Sequence, residues 1–308
     1  MAHNLYWSVY QNLEKELIEL SNHIHIDDKQ LNIYSMKIAE LLIRTVVEVE
    51  SLAKELYLNN SGHKPDDKEL YFDTDCLALL KEKWKLDLKK VQVVSSNFYF
   101  DKDENRILTP LRKAHKRGDK SERWLRAYQA IKHNRRISLE KASLQNLIQA
   151  MAALYILNIY YKDTEFDLGN DAGGNSFDTS CGSMIFSVFL HSSKGINTES
   201  LINKQNNFDE CIYLVVPTQE SALPIQDLMK KINNDVHNEM QQVVTKETVH
   251  SKLLEINPNG KTYEDAINEA ISRISKDLFQ QKMQQKALQF KNLYYQVKFQ
   301  CLLNKSQF

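Results

Sequence analysis

Glycine and proline are scarce in this chain: eight and five in 308 residues. Abundant Leu, Ile, Lys, Glu and Gln fill the places they leave, which predicts a mainly helical protein. Cys76, Cys181, Cys211 and Cys301 are scattered with no CxxC pair. Reduced, buried thiols in a cytoplasmic protein are expected, and nothing in the spacing suggests zinc. Met1-Ala2-His3-Asn4 has neither a basic nor an apolar leader character, so no secretory signal is expected. The longest apolar stretch, Leu147 to Tyr161, is about fifteen residues and carries Gln149 and Asn158. It is too short to span a bilayer and reads as a buried helix. Net charge is also missing, with 40 basic residues against 40 acidic ones.

Charge is nevertheless unevenly placed. From Arg106 to Arg136 there are eleven Lys and Arg against only Asp119 and Glu122, a local net charge of +9. Such a patch on a neutral protein suits a polyanion, most simply nucleic acid; a solvated loop balanced by acidic surface elsewhere is the plainer reading. The run leads into Arg123–Arg136. At about 100° per residue, Trp124, Leu125, Tyr128 and Ile131 share one side of a helix there. Arg126 and His133, seven residues apart, share the other side within about 20°. An imidazole, which titrates near neutrality, thus lies two turns from a permanent cation, the minimum equipment for handling a phosphodiester.

Amphipathic spacing predicts a first helix over Tyr6–Asn22 and a longer one from about Ile33 to Leu58, ended by Asn59-Asn60-Ser61-Gly62. On the second, Arg44 and Glu48 form an i,i+4 pair, while Glu50 falls between Val46 and Ile43 and would need a partner if half-buried. A shorter helix near Asp75–Lys85 follows, with Asp73 and Asp75 as caps, then Val91–Val94 and a loop at Asp101–Asn105. Ser138 is the expected cap of a helix from Leu139 to about Tyr161. Residues 1–163 therefore read as a helical bundle. Asp167–Ser176, with three of the eight glycines, reads as a linker or loop. Residues 164–308 read as a smaller α+β region, with paired short strands within about 184–216 and helices within about 220–303. The last of these, a long C-terminal helix from Tyr263 to about Leu303, has a Gln/Lys-rich middle where a break or an oligomer contact is expected.

Residues 5–163 resemble the HEPN superfamily, all-helical dimeric domains that include many metal-independent endoribonucleases. The resemblance rests on Arg126-x6-His133, on Trp124, Tyr128, Lys132-His133 and Arg135 around it, and on Tyr34-Ser35 and Glu48-Val49-Glu50 upstream. It implies a HEPN-like helical bundle that forms a homodimer and cuts RNA without cofactor or metal, with no membrane role. His133 would serve as general acid or base, Arg126 would brace the phosphorane, and Glu50 or Glu48 would orient the imidazole. Lys132, Arg135 and Arg136, with Arg112, Lys113, Lys116 and Arg117 from the basic run, would hold flanking phosphates. Arg135 turns toward the apolar side if the helix continues that far. A role as a toxin or antiphage-defence effector, with an antitoxin or defence-system partner, is the expected context. Family ribonucleases usually place a polar residue after the arginine, where this chain has Ala127. A non-catalytic module binding RNA, nucleotide or a partner is the alternative, and a helical scaffold with His133 packed at a dimer interface is the third.

Overall fold

The computed structural model describes residues 4–66, 68–192, 202–256 and 262–308. Asn4 accepts a hydrogen bond from the Trp7 amide and starts α1 (Leu5–Ser21). Ser35 does the same for Ile38 at the start of α2 (Met36–Asn59). Both are short side chains that satisfy amides left without an intrahelical partner. The expected stripe of α2, from Ile38 through Leu56, is buried as its spacing requires. A wide turn at Phe72–Leu77 leads into α3 (Ala78–Trp84). Asp73 and Asp75 sit inside that turn and do not cap the helix after it. The one-turn α4 (Asp103–Arg106) occupies the expected loop at 101–105.

The Arg/His segment forms α5 (Arg123–Ser138), broken at Asn134, where φ and ψ are −149° and 80°. The next helix, α6, runs from Leu144 to Lys162 and is capped by Ser143, not by Ser138. A short 3₁₀ turn at Leu139–Lys141 separates the two. Fifteen of the nineteen residues of α6 are buried. A helix apolar on every side has no solvent face to offer and settles at the centre, and α1, α2 and α5 pack around it.

Small sheets join this body to the later residues. β1 (Ile26–Asp27) pairs parallel with β3 (Phe98–Tyr99). β2 (Val91–Val93) lies between β4 (Ile107–Leu108) and β6 (Phe186–Val188), antiparallel to both. A third sheet has the order β5 (Phe166–Gly169), β9 (Phe299–Leu303), β8 (Tyr213–Pro217), β7 (Leu190–Ser192), with β7 and β8 parallel. The apolar run from Met184 to Leu190 is thus divided between two sheets. Part of the polar loop after it, residues 193–201, lies outside the described residues. The expected linker at 167–176 begins as strand β5. Its turn is closed by Asp171, whose carboxylate accepts the Gly173, Gly174 and Ser176 amides.

One core continues across position 163. Glu14 of α1, fully buried, accepts hydrogen bonds from Tyr10 at 2.7 Å, from the Met184 and Ile185 amides at 3.1 and 3.2 Å, and from Ser183. Tyr160 of α6 donates to the Asn304 carbonyl at 2.7 Å. The remaining helices are α7 (Gln219–Val243), α8 (Lys246–Leu254), α9 (Tyr263–Gln285) and α10 (Ala287–Tyr294). Their own cluster holds only Leu228, Ile232, Val236, Ile274 and Leu278 as buried residues. The long C-terminal helix therefore stops short of Leu303. It breaks at Lys286 in the Gln/Lys-rich stretch, and residues 299–303 form β9, whose alternating buried positions fit a strand. Among the described residues no helix is long and apolar enough to cross a membrane.

Candidate nucleic-acid interface

α5 is held by its apolar side. Trp124, Leu125, Ala127, Tyr128 and Ile131 are buried, and the Trp124 indole donates to the Pro110 carbonyl at 2.9 Å. This fixes the opposite side outward, and both Arg126 and His133 are exposed there. Neither side chain makes an ion pair or hydrogen bond with a described residue. Seven residues at a rise of about 1.5 Å place them about 10 Å apart along the axis. His133 is the last residue before the break at Asn134, whose side-chain oxygen accepts the Ile137 amide at 3.4 Å. Lys132, His133, Arg135 and Arg136 therefore gather at a helix C-terminus, where the backbone carbonyls favour positive charge. The break also keeps Arg135 from turning toward the apolar side; it is exposed, as is Arg136.

Neither glutamate makes a hydrogen bond or ion pair with His133 within the described residues. Glu50 is half-buried; Lys132, Lys54 and Asp73 are its charged neighbours, and the Tyr128 hydroxyl hydrogen-bonds to it. Burial raises the Glu50 pKa, while Lys132 opposes the rise. Burial, with Glu50 beside it, pushes the Tyr128 hydroxyl up to about 12. Lys132 also lies 5.5 Å from the centre of the Tyr128 ring. The partner that Glu50 required is thus on α5, one turn before the histidine. Burial raises Glu48 as well. Arg44 reaches instead to Glu16 at 2.6 Å and to Glu40 at 3.9 Å, so the expected Arg44–Glu48 pair is not formed.

The basic run divides in a similar way. The Arg117 Nε donates to both oxygens of Asp73 at 3.0 and 2.9 Å, and the guanidinium stacks 3.6 Å from the centre of the Tyr71 ring. Its guanidinium is thus engaged by the fold, although the side chain remains partly exposed. Arg112, Lys113 and Lys116 are exposed and make no ion pair with a described residue. The nearby Glu122 carboxylate accepts the Lys113 amide at 2.7 Å, and burial raises its pKa.

A cleft of about 770 Å³ opens along the first turns of α5. Arg123, Arg126, Ala127 and Gln129 line one side, with Asn32, Tyr34, Asp119, Glu140, Lys141 and Asn146 around the rest. Ala127 is 3% exposed, so the residue after the arginine forms cleft wall and core together. His133 stands outside the lining, one turn beyond Gln129. Tyr34 and Asn32 reach the cleft because the Leu144 and Gln145 amides bond the Ile33 and Leu31 carbonyls, tying the segment before α2 to the start of α6. Sequence periodicity missed these cleft residues, apart from Arg126. An aromatic just ahead of a helix cap, Tyr34 before Ser35, was the one available signal.

Among the described residues no group of three or more His, Cys, Asp and Glu is placed to hold a metal ion. Comparison with protein-family models, with curated proteins and with solved structures finds no match.

Proposed function

We propose that this protein is a metal-independent endoribonuclease of HEPN type that works as a homodimer, with the exposed side of α5 as its RNA-handling surface. The observation that carries this reading is Arg126 and His133 together: outward on one helix side, unpaired, two turns apart, beside a cleft. His133 takes the proton from a 2′-hydroxyl or returns one to the 5′-oxygen, and Arg126 stabilises the charge that develops on the phosphorane between them. The 2′-oxygen bonds to phosphorus as the bond to the 5′-oxygen breaks, leaving a 2′,3′-cyclic phosphate and a 5′-hydroxyl. One chain offers one His133 imidazole, and a second copy supplies the other. Arg112, Lys113, Lys116, Arg135 and Arg136 contact flanking phosphates. A toxin or defence role is the setting in which we place this activity.

The experiment is cleavage of total RNA and tRNA by wild type and His133→Ala in EDTA, with end-group analysis. Cutting that persists without metal, leaves cyclic phosphate and disappears in a folded His133→Ala protein supports the nuclease. No cutting, or equal cutting by both, removes it. The second reading, a non-catalytic RNA-binding module, is favoured by two observations: no carboxylate among the described residues bonds His133, and Ala127 stands after the arginine. It predicts salt-dependent binding that His133→Ala leaves intact.

A further inference from the structure

The cleft beside Arg126 holds polar groups that the fold does not use. Asn32, Tyr34, Asp119, Arg126, Gln129 and Lys141 converge on it, and none of their side chains makes a hydrogen bond or ion pair with another described residue. Tyr34 is 52% exposed, a large ring left open to solvent. The volume, about 770 Å³, falls within the roughly 300–1,000 Å³ of small-molecule sites. The mixture is chemically specific. An aromatic ring offers a stacking surface, two side-chain amides each offer a donor and an acceptor, and two carboxylates, Asp119 and Glu140, accept only. Two cations complete the set. A bare phosphate would need the cations and would be repelled by both carboxylates. A nucleotide meets the ring, amides and carboxylates with its base and the cations with its phosphate.

We infer that this cleft receives one unpaired nucleotide of an RNA strand, with its base on Tyr34, its edge read by Asn32, Gln129 and Asp119, and its phosphate on Arg126 and Lys141. The inference rests on the RNA reading of α5 and gives it a substrate class. In a duplex the base edges are already engaged, so a side-chain pocket of this kind selects single strands, loops and bulges. The cleft ends at Gln129, and His133 lies four residues further on the same side, about 6 Å along the axis. The nucleotide held in the cleft is thus a neighbour of the bond presented to His133, and the pocket would set which base flanks the cut.

The test is binding, measured separately from cleavage. Anisotropy of a labelled, unstructured ten-nucleotide RNA is followed in a His133→Ala background, alone and annealed to its complement, across a salt series. The expected result is single-strand binding about tenfold tighter than duplex binding. Tyr34→Ala should lose about tenfold of it, as removal of a stacking platform does, with the salt slope unchanged because no phosphate contact is lost. Tyr34→Phe should bind as the parent, Gln129→Ala should change the preferred base, and Lys141→Ala should lower the slope. Circular dichroism confirms that each variant is folded. Equal affinity for single strand and duplex, indifference to both Tyr34→Ala and Gln129→Ala, or no RNA binding at all overturns the inference. Competition with AMP, GMP, CMP and UMP separates the sources of the nucleotide: a mononucleotide binding as tightly as the oligonucleotide would overturn the RNA assignment. Tyr34-dependent binding without any cleavage by wild type would keep the pocket and remove the nuclease. Cleavage lost in His133→Ala, with binding indifferent to Tyr34, would do the reverse.

Discussion

Two short basic segments look alike in the sequence and end in opposite circumstances. Lys89-Lys90, just before β2, meets residues 209–211: Lys90 pairs with Glu210 at 2.7 Å, and the neighbouring Lys85 pairs with Asp209 at 2.8 Å. Lys89 is fully buried, and its amine donates to the Cys211 carbonyl at 3.0 Å. Burial pulls its pKa down to about 7, with Asp209 opposing the shift. Lys132-His133 and Arg135-Arg136, by contrast, lie on the solvent side of α5, and Arg126 and His133 have no hydrogen-bond or ion-pair partner among the described residues. The first segment is charge consumed by structure; the second, apart from Lys132 beside Glu50, is charge left over. A run of Lys and Arg therefore indicates function only where the helix beneath it has its apolar side elsewhere.

The sharpest way to break this comparison is to remove the leftover charge. His133→Ala and Arg126→Ala should each lower RNA cleavage by about 10²–10⁴-fold. Both are exposed, so urea midpoints should stay at the wild-type value. A drop in midpoint equal to that of a core variant would place them in the fold instead.

Lys89 tests the other half. Lys89→Met should stabilise the chain by about 1–3 kcal/mol near pH 7, since a buried amine with one acceptor is replaced by an apolar side chain of similar length. The pH dependence has a definite sign. The folded-state pKa is depressed to about 7, so between there and the ordinary lysine value of about 10.4 the unfolded chain binds more protons. Wild-type stability should gain a rising contribution with pH across that window, and Lys89→Met should lack it. Denaturation at pH 7, 8.5 and 10 would decide, and parallel curves for the two proteins would sink the assignment.

Arg117 divides the basic run itself. Arg117→Ala should cost about 1–2 kcal/mol, because Asp73 is left mostly buried without its partner. It should leave the salt slope of RNA binding unchanged, whereas Arg112→Glu with Lys116→Glu should flatten it. The smallest effect is expected at Lys85→Ala, whose pair with Asp209 is largely solvated: about 0–1 kcal/mol by thermal melting.

Much of the helical plan was legible because burial and period coincide in it. The stripes of α1 and α2 and the buried side of α5 follow from spacing, and the burial of α6 from its apolar content. Boundaries failed where two short polar residues competed: Ser138 and Ser143 are both capable caps, and only the 3₁₀ turn between them decides for Ser143. The C-terminal helix was read through residues 299–303 because a short apolar run has no period of its own. Within the candidate site, the outward side of α5 was readable, since an amphipathic helix fixes both sides at once. The cleft was not, because Asn32, Tyr34, Asp119 and Lys141 come from separate segments.

Sequence by itself determined the mainly helical body, the central place of α6 and the outward placement of Arg126 and His133, all consequences of local period and apolar content. Tertiary structure alone decided which charges remain available: Glu50 toward Lys132 and Tyr128, Arg117 onto Asp73, Lys89 into the core. It also decided that β6 joins β2 and that Glu14 accepts the amides at 184 and 185. The physical reason is that a polar group's role depends on what desolvates and pairs with it, and those neighbours lie far along the chain.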